Sequence, residues 1–439
     1  MPPTKQLARK IFLHALSSID IPRVMQRKLE LSPDGARLSL QDANLDFEHA
    51  SSMLMVAIGK AAHAMTTGLV TLFPSGKEFS GVVAAPTAPA EPIPGLEYFV
   101  GGHPIPNRDS WRAAEAILKL LQQCDERTVV FFLLSGGGSA LAELPLAPAM
   151  TLEDVQEVNH ALVTCGAPIE AMNTVRRHLS AIKGGRLALA AGSACKITLA
   201  VTDVPLGKET ALASGPTLPD PTTIADTQQI FAEFGLPRRF PRALGRWLEA
   251  GEMPETPKPG HSAFANAHFE LLLGMEDLFH ATHHAVEAHG YVSCCDNSTD
   301  DWPVAKAVES LLAQLDAWQR ENPGQRVAVI ADGEISSPVT GTGVGGRNSA
   351  FVLACVEKIA GRKITVLSAG TDGIDGNSPA AGAVADGETL ARARTLGLDP
   401  AAAFRESDAY RFFSKLDDAV VTGPTGNNLR DLRILLADP

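Results

Sequence analysis

Apolar strands and amphipathic helices alternate along the first half of the chain. Continuous apolar runs, typical of strands that are buried on both faces, occupy 51–59, 80–86, 129–135 and 196–205. The segments 60–73 and 108–124 repeat apolar residues with the period of a helix. This alternation predicts a parallel sheet that is covered by helices on both faces.

The pattern changes at 215–262, which is rich in proline and poorly periodic. We therefore predict two α/β domains, residues 1–240 and 241–439, because 439 residues exceed what one core usually supports. In the second half we predict a histidine-bearing helix at 268–289 and a long amphipathic helix at 304–322. Three strand-loop units are predicted to follow, at 326–334, 364–376 and 417–428, and a final helix after residue 428.

Composition favours chemistry on small molecules. The formal net charge is -12 and the basic residues are scattered, which argues against a nucleic-acid or anionic membrane partner. The six cysteines lack zinc-site spacing, so we expect reduced structural thiols. The N-terminus has charges inside an amphipathic pattern, unlike a signal peptide, and we expect a cytoplasmic protein; a homo-oligomer stays open.

A glycine loop follows the strand at 129–135. It consists of Ser135, Gly136, Gly137, Gly138 and Ser139, and helix-forming residues come next. Bare backbone N–H groups at the start of a helix favour a phosphate or a carboxylate, so we predict an anion site. The loop matches neither the P-loop nor the dinucleotide fingerprint. A tight turn that needs glycine for its backbone alone is the alternative.

Two cations stand beside glycines at predicted strand or helix ends. Lys60 directly follows the strand at 51–59, and Arg347 lies in the glycine-rich loop before an apolar helix. A lysine or a planar guanidinium in such a place is suited to phosphoryl oxygens. Each could instead be an ordinary exposed side chain.

Carboxylates also follow predicted strands. Asp203, Asp332 and Asp372 are candidate ligands for Mg²⁺, which usually takes one or two protein carboxylates together with substrate phosphates. A turn is the alternative for any single Asp-Gly pair.

Several further polar residues are candidates for ligand binding. Arg176 and Arg177 lie on a basic helix face that could pair with a substrate carboxylate or could simply be solvated. His103 lies in a Gly/Pro loop, where function and turn chemistry are equally plausible. Thr422, Thr425 and Asn427 precede the predicted final helix and are expected to cap it or to bind a ligand.

Taken together, collinear motifs resemble those of the class II glycerate kinases, whose C-terminal half is called the MOFRL domain. The motifs are AIGKAA, GGHPIPN, LSGGGSALAE, NTVRRHLSAIKGGRLA, VTDVPLGKETALASGPT, GVGGRN, SAGTDGIDG and TGPTGNNLRDL. The resemblance implies an N-terminal Rossmann-like parallel sheet, a C-terminal α/β/α MOFRL domain with its core at about 325–436, and an active site in the cleft between them. It also implies ATP-dependent phosphorylation of D-glycerate at the 2-hydroxyl with Mg²⁺.

The resemblance places the family's functional lysine on Lys60, its functional arginine on Arg347 and the aspartate of its TDG motif on Asp372. Our hypothesis is that Lys60 and Arg347 stabilise the transferring phosphoryl group. The three aspartates would hold Mg²⁺, and one of them would accept the substrate proton, with Asp203 and Asp372 as the candidates. The glycine and threonine loops would bind ATP phosphates or the glycerate carboxylate, for which His103, Arg176 and Arg177 are the candidate substrate contacts.

The chain departs from the family pattern at three places: Lys208 follows Gly207 where an acidic residue is frequent, Asn107 replaces an aspartate, and Ser349-Ala350 replace Gln-Glu. These changes concern substrate preference or metal detail. Two alternatives to the kinase are an NAD(P)H-dependent hydroxypyruvate reductase, although no dinucleotide fingerprint is present, and a non-catalytic sugar-acid binding protein.

Overall fold

The computed structural model describes residues 4–202, 204, 207–427 and 429–439, so the candidate residue Asp203 lies outside the described residues. Its β-strands are β1 (Glu30–Leu31), β2 (Arg37–Ser39), β3 (Asn44–Asp46), β4 (Ser52–Ile58), β5 (Ser80–Ala85), β6 (Leu96–Val100), β7 (Thr128–Ser135), β8 (Cys195–Val201), β9 (Ala267–Leu273), β10 (Tyr291–Asp296), β11 (Arg326–Asp332), β12 (Ile364–Gly370), β13 (Gly382–Asp386), β14 (Ala419–Val420) and β15 (Asp431–Ala437).

The α-helices are α1 (Thr4–Ser18), α2 (Ile21–Lys28), α3 (Ala62–Leu72), α4 (Arg108–Leu121), α5 (Gly138–Leu141), α6 (Leu152–Val163), α7 (Ile169–Leu179), α8 (Arg186–Ala190), α9 (Ile224–Glu233), α10 (Arg242–Glu249), α11 (Met275–Glu287), α12 (Val304–Glu321), α13 (Arg347–Val356), α14 (Thr389–Thr395), α15 (Pro400–Arg405) and α16 (Ala409–Lys415). Short 3₁₀ helices occupy Glu209–Ser214, Leu236–Arg239 and Ser262–Phe264.

The chain forms two compact units. The N-terminal unit is Ile21–Leu273, and the C-terminal unit combines the residues up to Asp20 with Gly274–Pro439. This division differs from the predicted boundary at 240/241. The reason is that β9 pairs in parallel with β8, and that α1 is held in the C-terminal unit, where the Lys5 ammonium donates to Asp418 at 3.0 Å.

The N-terminal unit is built on a parallel sheet with the strand order β6-β5-β4-β7-β8-β9. Every residue of β7, Thr128–Ser135, is buried, which explains why this strand reads as an unbroken apolar run. Ile58 lies opposite both Ala84 and Leu134, so β4, β5 and β7 end at the same level. The predicted parallel sheet is confirmed, and the loops after β4 and β7 are neighbours.

The C-terminal unit contains a mixed sheet with the order β10-β11-β15-β12-β13-β14. Strands β10 and β11 are parallel, whereas β15 runs antiparallel to both β11 and β12. Apolar residues of α12, α13 and α16 pack with those of the sheet in one core. The α/β class predicted from the sequence is confirmed for this half as well.

Two element predictions in the second half are wrong. The segment after the last loop is the strand β15, not a helix, because both of its edges are paired within the sheet. The histidine-bearing helix is shorter than 268–289, since Ala267–Leu273 is the edge strand β9 and α11 begins at Met275. In both cases pairing with a neighbouring strand overrides the local helical pattern.

Candidate active site

The loops after β4 and β7 are locked together in the N-terminal unit. Gly59 has φ +138°, and a Cβ at this position would lie 2.1 Å from Ser135 Oγ. The Lys60 N–H donates to the Gly136 carbonyl at 2.9 Å, and the Ala61 N–H donates to Ser135 Oγ at 3.0 Å. The backbone of Lys60 is therefore fixed, while its side chain is exposed.

Lys60, His103 and Gly137 converge at this edge of the sheet. A Cβ on Gly137, whose φ is +83°, would lie 3.0 Å from His103 Cδ2 and 3.3 Å from Lys60 Cγ. Burial and the neighbouring Lys60 charge lower the pKa of His103, so its imidazole is neutral at pH 7. The three residues, selected separately from the sequence, form one polar cluster.

The glycine loop does not open a long helix. The helix that follows, α5, has only four residues, Gly138–Leu141, so a helix dipole adds little to the anion site predicted for this loop, and the backbone N–H groups of the loop are what it offers. Ser135 is buried and acts as the acceptor that ties the two loops together. Ser139 Oγ lies 2.8 Å from Ser214 Oγ.

A strained segment contacts the glycine loop. Ala213 and Ser214 have φ of +48° and +61°, in the left-handed region that non-glycine residues rarely adopt. The Ala213 Cβ would lie 2.7 Å from a Cβ on Gly138, so only glycine fits there. Ser214 Oγ also lies 3.4 Å from the Asn173 side chain, its acceptor. Sequence reasoning missed Ser214 and Asn173 as individual site residues, although they lie inside the motifs VTDVPLGKETALASGPT and NTVRRHLSAIKGGRLA.

The two adjacent arginines of α7 have different surroundings. The Arg177 Nε lies 2.9 Å from Asp220 Oδ1, and both side chains are buried, so Arg177 forms a structural ion pair. Arg176 donates to the amide oxygens of Asn159 and Asn173, both at 3.3 Å. Burial lowers the pKa of Arg176. The two arginines thus differ in their partners: Arg176 is hydrogen-bonded to neutral amides, whereas Arg177 is paired with a carboxylate.

Arg347 is the first residue of α13 in the C-terminal unit. Its Nε donates to Asp431 Oδ2 at 2.5 Å, and its Nη2 lies 2.8 Å from Glu334 Oε1. These carboxylates raise the pKa of Arg347. Asp431, whose side chain is 5% exposed, is a functional candidate that sequence reasoning missed, because it lies 84 residues from Arg347 along the chain. The antiparallel course of β15 brings it there, opposite Gly370 of β12.

The amino terminus of α13 is already occupied by a carboxylate of the protein. Asp375 accepts hydrogen bonds from the N–H groups of Gly346, Asn348 and Ser349 and from the Ser349 hydroxyl, at 2.5 to 3.1 Å. Asp375 therefore caps this helix. The cation offered by this loop is the guanidinium of Arg347, not the helix end.

Asp332 is a buried carboxylate at the end of β11. Neither of its carboxylate oxygens has a hydrogen-bond partner within the part of the chain that the structure describes, and its ion-pair contact there is Arg430 Nη1 at 3.7 Å. Burial raises the pKa of Asp332 to about 6, against the opposing effect of Arg430 and Arg433. A buried carboxylate without satisfied oxygens is one of the few unexplained polar groups in this unit.

Asp372 and the threonine loop lie together. The Thr425 N–H donates to the Asp372 carbonyl at 3.1 Å, its hydroxyl donates to the Thr371 carbonyl at 2.5 Å, and the Asn427 N–H donates to Thr425 Oγ1 at 3.1 Å. The Thr422 hydroxyl donates to the Gly423 carbonyl at 2.9 Å. These side chains shape a loop that leads into β15, so the predicted helix-capping role is wrong.

Within the described parts of the chain, no three His, Cys, Asp or Glu side chains converge in a way that could hold a metal ion. Within the same residues, no helix is both long and apolar enough to cross a bilayer.

Comparisons with known proteins agree with this architecture. A model described as a domain of unknown function, DUF4147, matches residues 7–249, and the MOFRL family matches 327–431. The D-glycerate 2-kinase of Thermotoga maritima is 32% identical over 94% of this chain and 96% of that protein. An Agrobacterium vitis protein that is provisionally named a hydroxypyruvate reductase is 35% identical over 98% of this chain and 94% of its own length.

The fold comparison gives the same result. The crystal structure of a glycerate kinase from T. maritima superposes with a TM-score of 0.84 at 31% identity, covering 99% of each chain. The chain therefore belongs to the class II glycerate kinase family, with a DUF4147 region followed by a MOFRL domain. The identification made from the motifs is confirmed.

Proposed function

We propose that the protein transfers the γ-phosphoryl group of ATP to the 2-hydroxyl of D-glycerate, giving 2-phosphoglycerate and ADP. The observation that carries this proposal is the full-length likeness to the T. maritima D-glycerate 2-kinase, together with cations held at the sheet edge of each unit. Lys60 stands on a fixed backbone in one unit, and Arg347 is oriented by two carboxylates in the other.

In this proposal Lys60 and Arg347 stabilise the charge that spreads over the phosphoryl oxygens in the transition state. Phosphoryl transfer depends mainly on positioning and on such electrostatic stabilisation. Asp431 holds the Arg347 guanidinium through Nε, which fixes its plane before substrate arrives. The Lys60 ammonium is exposed and makes no hydrogen bond with the described residues, so it can follow the phosphate while its backbone stays anchored.

Glycerate contacts are assigned to the polar cluster of the N-terminal unit and to Arg176 of the same unit. The neutral His103 imidazole can exchange hydrogen bonds with the substrate hydroxyls, and Arg176 supplies a cation for the carboxylate. Gly136, Gly137, Gly138 and Ser139 bring backbone close to the ligand. The loop of Thr422, Thr425 and Asn427 is assigned to the nucleotide phosphates.

The donor chemistry fits Mg²⁺. Among the described residues, the two oxygens of Asp332 accept no hydrogen bond, and hard carboxylate oxygens suit this ion. We assign Asp332 and Asp372, together with Asp203, as the residues that would hold it. Mg²⁺ supplies charge neutralisation of the nucleotide phosphates when it is bound. With so few protein carboxylates, its binding would depend on the nucleotide. We assign the role of proton acceptor to Asp203 or Asp372.

The name of the A. vitis relative motivates a second candidate, reduction of hydroxypyruvate with NAD(P)H. The sheet argues against it, because β4 is followed by Gly59-Lys60 locked against Ser135 rather than by a glycine-rich dinucleotide turn.

A paired assay separates the two candidates. In the first assay, purified protein is incubated with ATP, Mg²⁺ and D-glycerate, and the release of ADP is measured. In the second assay, it is incubated with NADH and hydroxypyruvate, and the oxidation of NADH is measured by its absorbance. The kinase proposal predicts glycerate-dependent ADP release and no NADH oxidation. NADH oxidation without ADP release would replace it with the reductase.

A further inference from the structure

An apolar slot lies beside Arg347 in the C-terminal unit. Its cavity volume is about 280 Å³, and it is bounded by the start of α12, one face of α13, the loop after β11, and α15. Arg347, Ala350 and Leu353 follow one another at intervals of three residues along α13, so Arg347 stands at the end of this row. We call this cavity the α13 slot.

The lining of the α13 slot has the character of a ligand site. Val339 is 83% exposed and Phe404 is 37% exposed, so two large apolar side chains remain accessible at the slot. Among the described residues of its lining, the polar side chains apart from Arg347 are three hydroxyls, those of Ser337, Thr340 and Ser407. Concave, mainly apolar cavities with a few polar groups are where proteins bind small molecules.

The walls of the slot are fixed by hydrogen bonds between segments that are distant in sequence. The Gly343 N–H donates to the Glu406 carbonyl at 2.9 Å, and the Thr340 hydroxyl donates to the Arg405 carbonyl at 2.7 Å. The Tyr410 N–H donates to the Val344 carbonyl at 2.9 Å. The loop after β11 is therefore tied to the α15–α16 segment, and the slot is preformed.

We propose that the α13 slot binds the base of ATP, with the triphosphate directed toward Arg347. This inference rests on the proposed function. An apolar slot that ends at a guanidinium matches a nucleotide, which joins a flat base to a polyanion, whereas glycerate carries a polar group on every carbon. Asp375 already accepts hydrogen bonds from the N–H groups at the start of α13, so these groups are not available to a phosphate. The group that this end of the slot offers to an anion is the Arg347 guanidinium.

The geometry of Arg347 agrees with a phosphate contact. Its bonds to Asp431 and Glu334 use Nε and Nη2. Nη1 has no hydrogen-bond partner among the residues that the structure describes. A guanidinium held on one edge and free at one nitrogen can receive a phosphate oxygen without losing its orientation.

The residues that line the slot also allow a prediction about base selectivity. No carboxylate or amide side chain from the described residues lines the slot, so no side chain there is matched to the amino group of adenine or to the carbonyl of guanine. Strong discrimination requires buried polar groups that the wrong base would leave unpaired. We therefore expect the KM values for ATP and GTP to lie within about tenfold of each other.

The test uses two variants of α13 in the full chain. Ala350→Phe fills the slot, and Ala354→Phe, one turn later on the same helix but facing a neighbouring groove, is the matched control. The probes are a fluorescent N-methylanthraniloyl ATP, titrated directly, and inorganic tripolyphosphate, measured by competition. We expect Ala350→Phe to raise the Kd for the ATP analogue at least tenfold and to leave tripolyphosphate within twofold, while Ala354→Phe changes neither.

Phe404→Ala gives a second measurement in case Ala350→Phe does not fold, and we expect it to raise the same Kd severalfold. Unchanged affinity for the ATP analogue in folded Ala350→Phe and in Phe404→Ala would overturn the slot assignment. The proposed function is tested separately by the wild-type chain. Wild-type protein that binds the analogue through the slot but releases no ADP with glycerate would refute the glycerate kinase proposal and leave the slot in place.

Discussion

Replacement of Asp431 by asparagine tests whether Arg347 must be held in place for phosphoryl transfer. The Asp431 carboxylate is 5% exposed and accepts from Arg347 Nε at 2.5 Å, whereas Glu334, on the other side of the guanidinium, is 52% exposed. Asparagine keeps the shape of the side chain and one acceptor but removes the charge. The orientation of Arg347 is expected to loosen while the fold persists.

The size of the effect follows from the geometry. A hydrogen bond to a charged group contributes about 1.5–3 kcal/mol, and solvent screening at Arg347, which is 36% exposed, keeps the effect toward the lower half of that range. Since about 1.4 kcal/mol is a factor of ten, kcat is expected to fall about 10- to 50-fold in Asp431→Asn. The KM for D-glycerate should change little, because the contact concerns the phosphoryl group.

Steady-state kinetics with a coupled ADP assay measures both constants, and Glu334→Gln is the control. Because the Glu334 pair is exposed, its removal should lower kcat less than about threefold. Asp431→Glu, which restores the charge, should recover part of the lost kcat. Equal kcat values for Asp431→Asn and Glu334→Gln, or a lower melting temperature with unchanged kcat, would refute the positioning role of Asp431.

Three further predictions concern the polar cluster of the N-terminal unit. Lys60→Ala should lower kcat by about 100-fold or more without changing the melting temperature, whereas Lys77→Ala, another exposed lysine, should leave kcat unchanged. Gly137→Ala should lose activity because the new Cβ would press on His103 and Lys60. The control is Gly166→Ala, at a similar φ of +81° with no neighbour within 4 Å. It should keep its activity and lose only about 1–2 kcal/mol of unfolding free energy, the cost of the backbone conformation, measured by chemical denaturation. Because folding lowers the pKa of His103, the unfolded chain takes up a proton on this imidazole at higher pH than the folded chain does. The stability of the fold should therefore fall as the pH drops below about 6.5. Melting curves from pH 5 to 8 should show a weaker pH dependence for His103→Gln than for the wild type.

The strands that are buried on both faces could be predicted from the sequence. All of β7 and all but the first residue of β4 are buried, and strands of this kind leave an unbroken apolar run in the sequence. The strand β15 could not be recognised in the same way. It is also fully buried, but Arg433 lies inside it and donates to the backbone carbonyls of Asp332 and Gly333. In the sequence pattern, an arginine among apolar residues is typical of the polar face of a helix, and the tertiary partners that keep it buried are not visible there.

The candidate site shows the same limit. Lys60 and Arg347 could be selected because each stands beside glycines at an element boundary, and that context is local in sequence. Asp431 and Ser214 lie inside quoted motifs but have no such local context. The first reaches Arg347 through strand pairing, and the second reaches Ser139 through a strained turn. Arg176 and Arg177 are equivalent in sequence, and Asp220, the partner that separates them, follows 43 residues after Arg177.

The central claim is that the 2-hydroxyl of D-glycerate is the phosphoryl acceptor. The most direct measurement is phosphorus NMR of an incubation of the wild-type protein with ATP, Mg²⁺ and D-glycerate, with authentic 2-phosphoglycerate and 3-phosphoglycerate added as references. We expect a resonance that coincides with 2-phosphoglycerate and grows in equal amount with ADP. A resonance of 3-phosphoglycerate, or ATP that stays intact in the presence of active, folded protein, would contradict it.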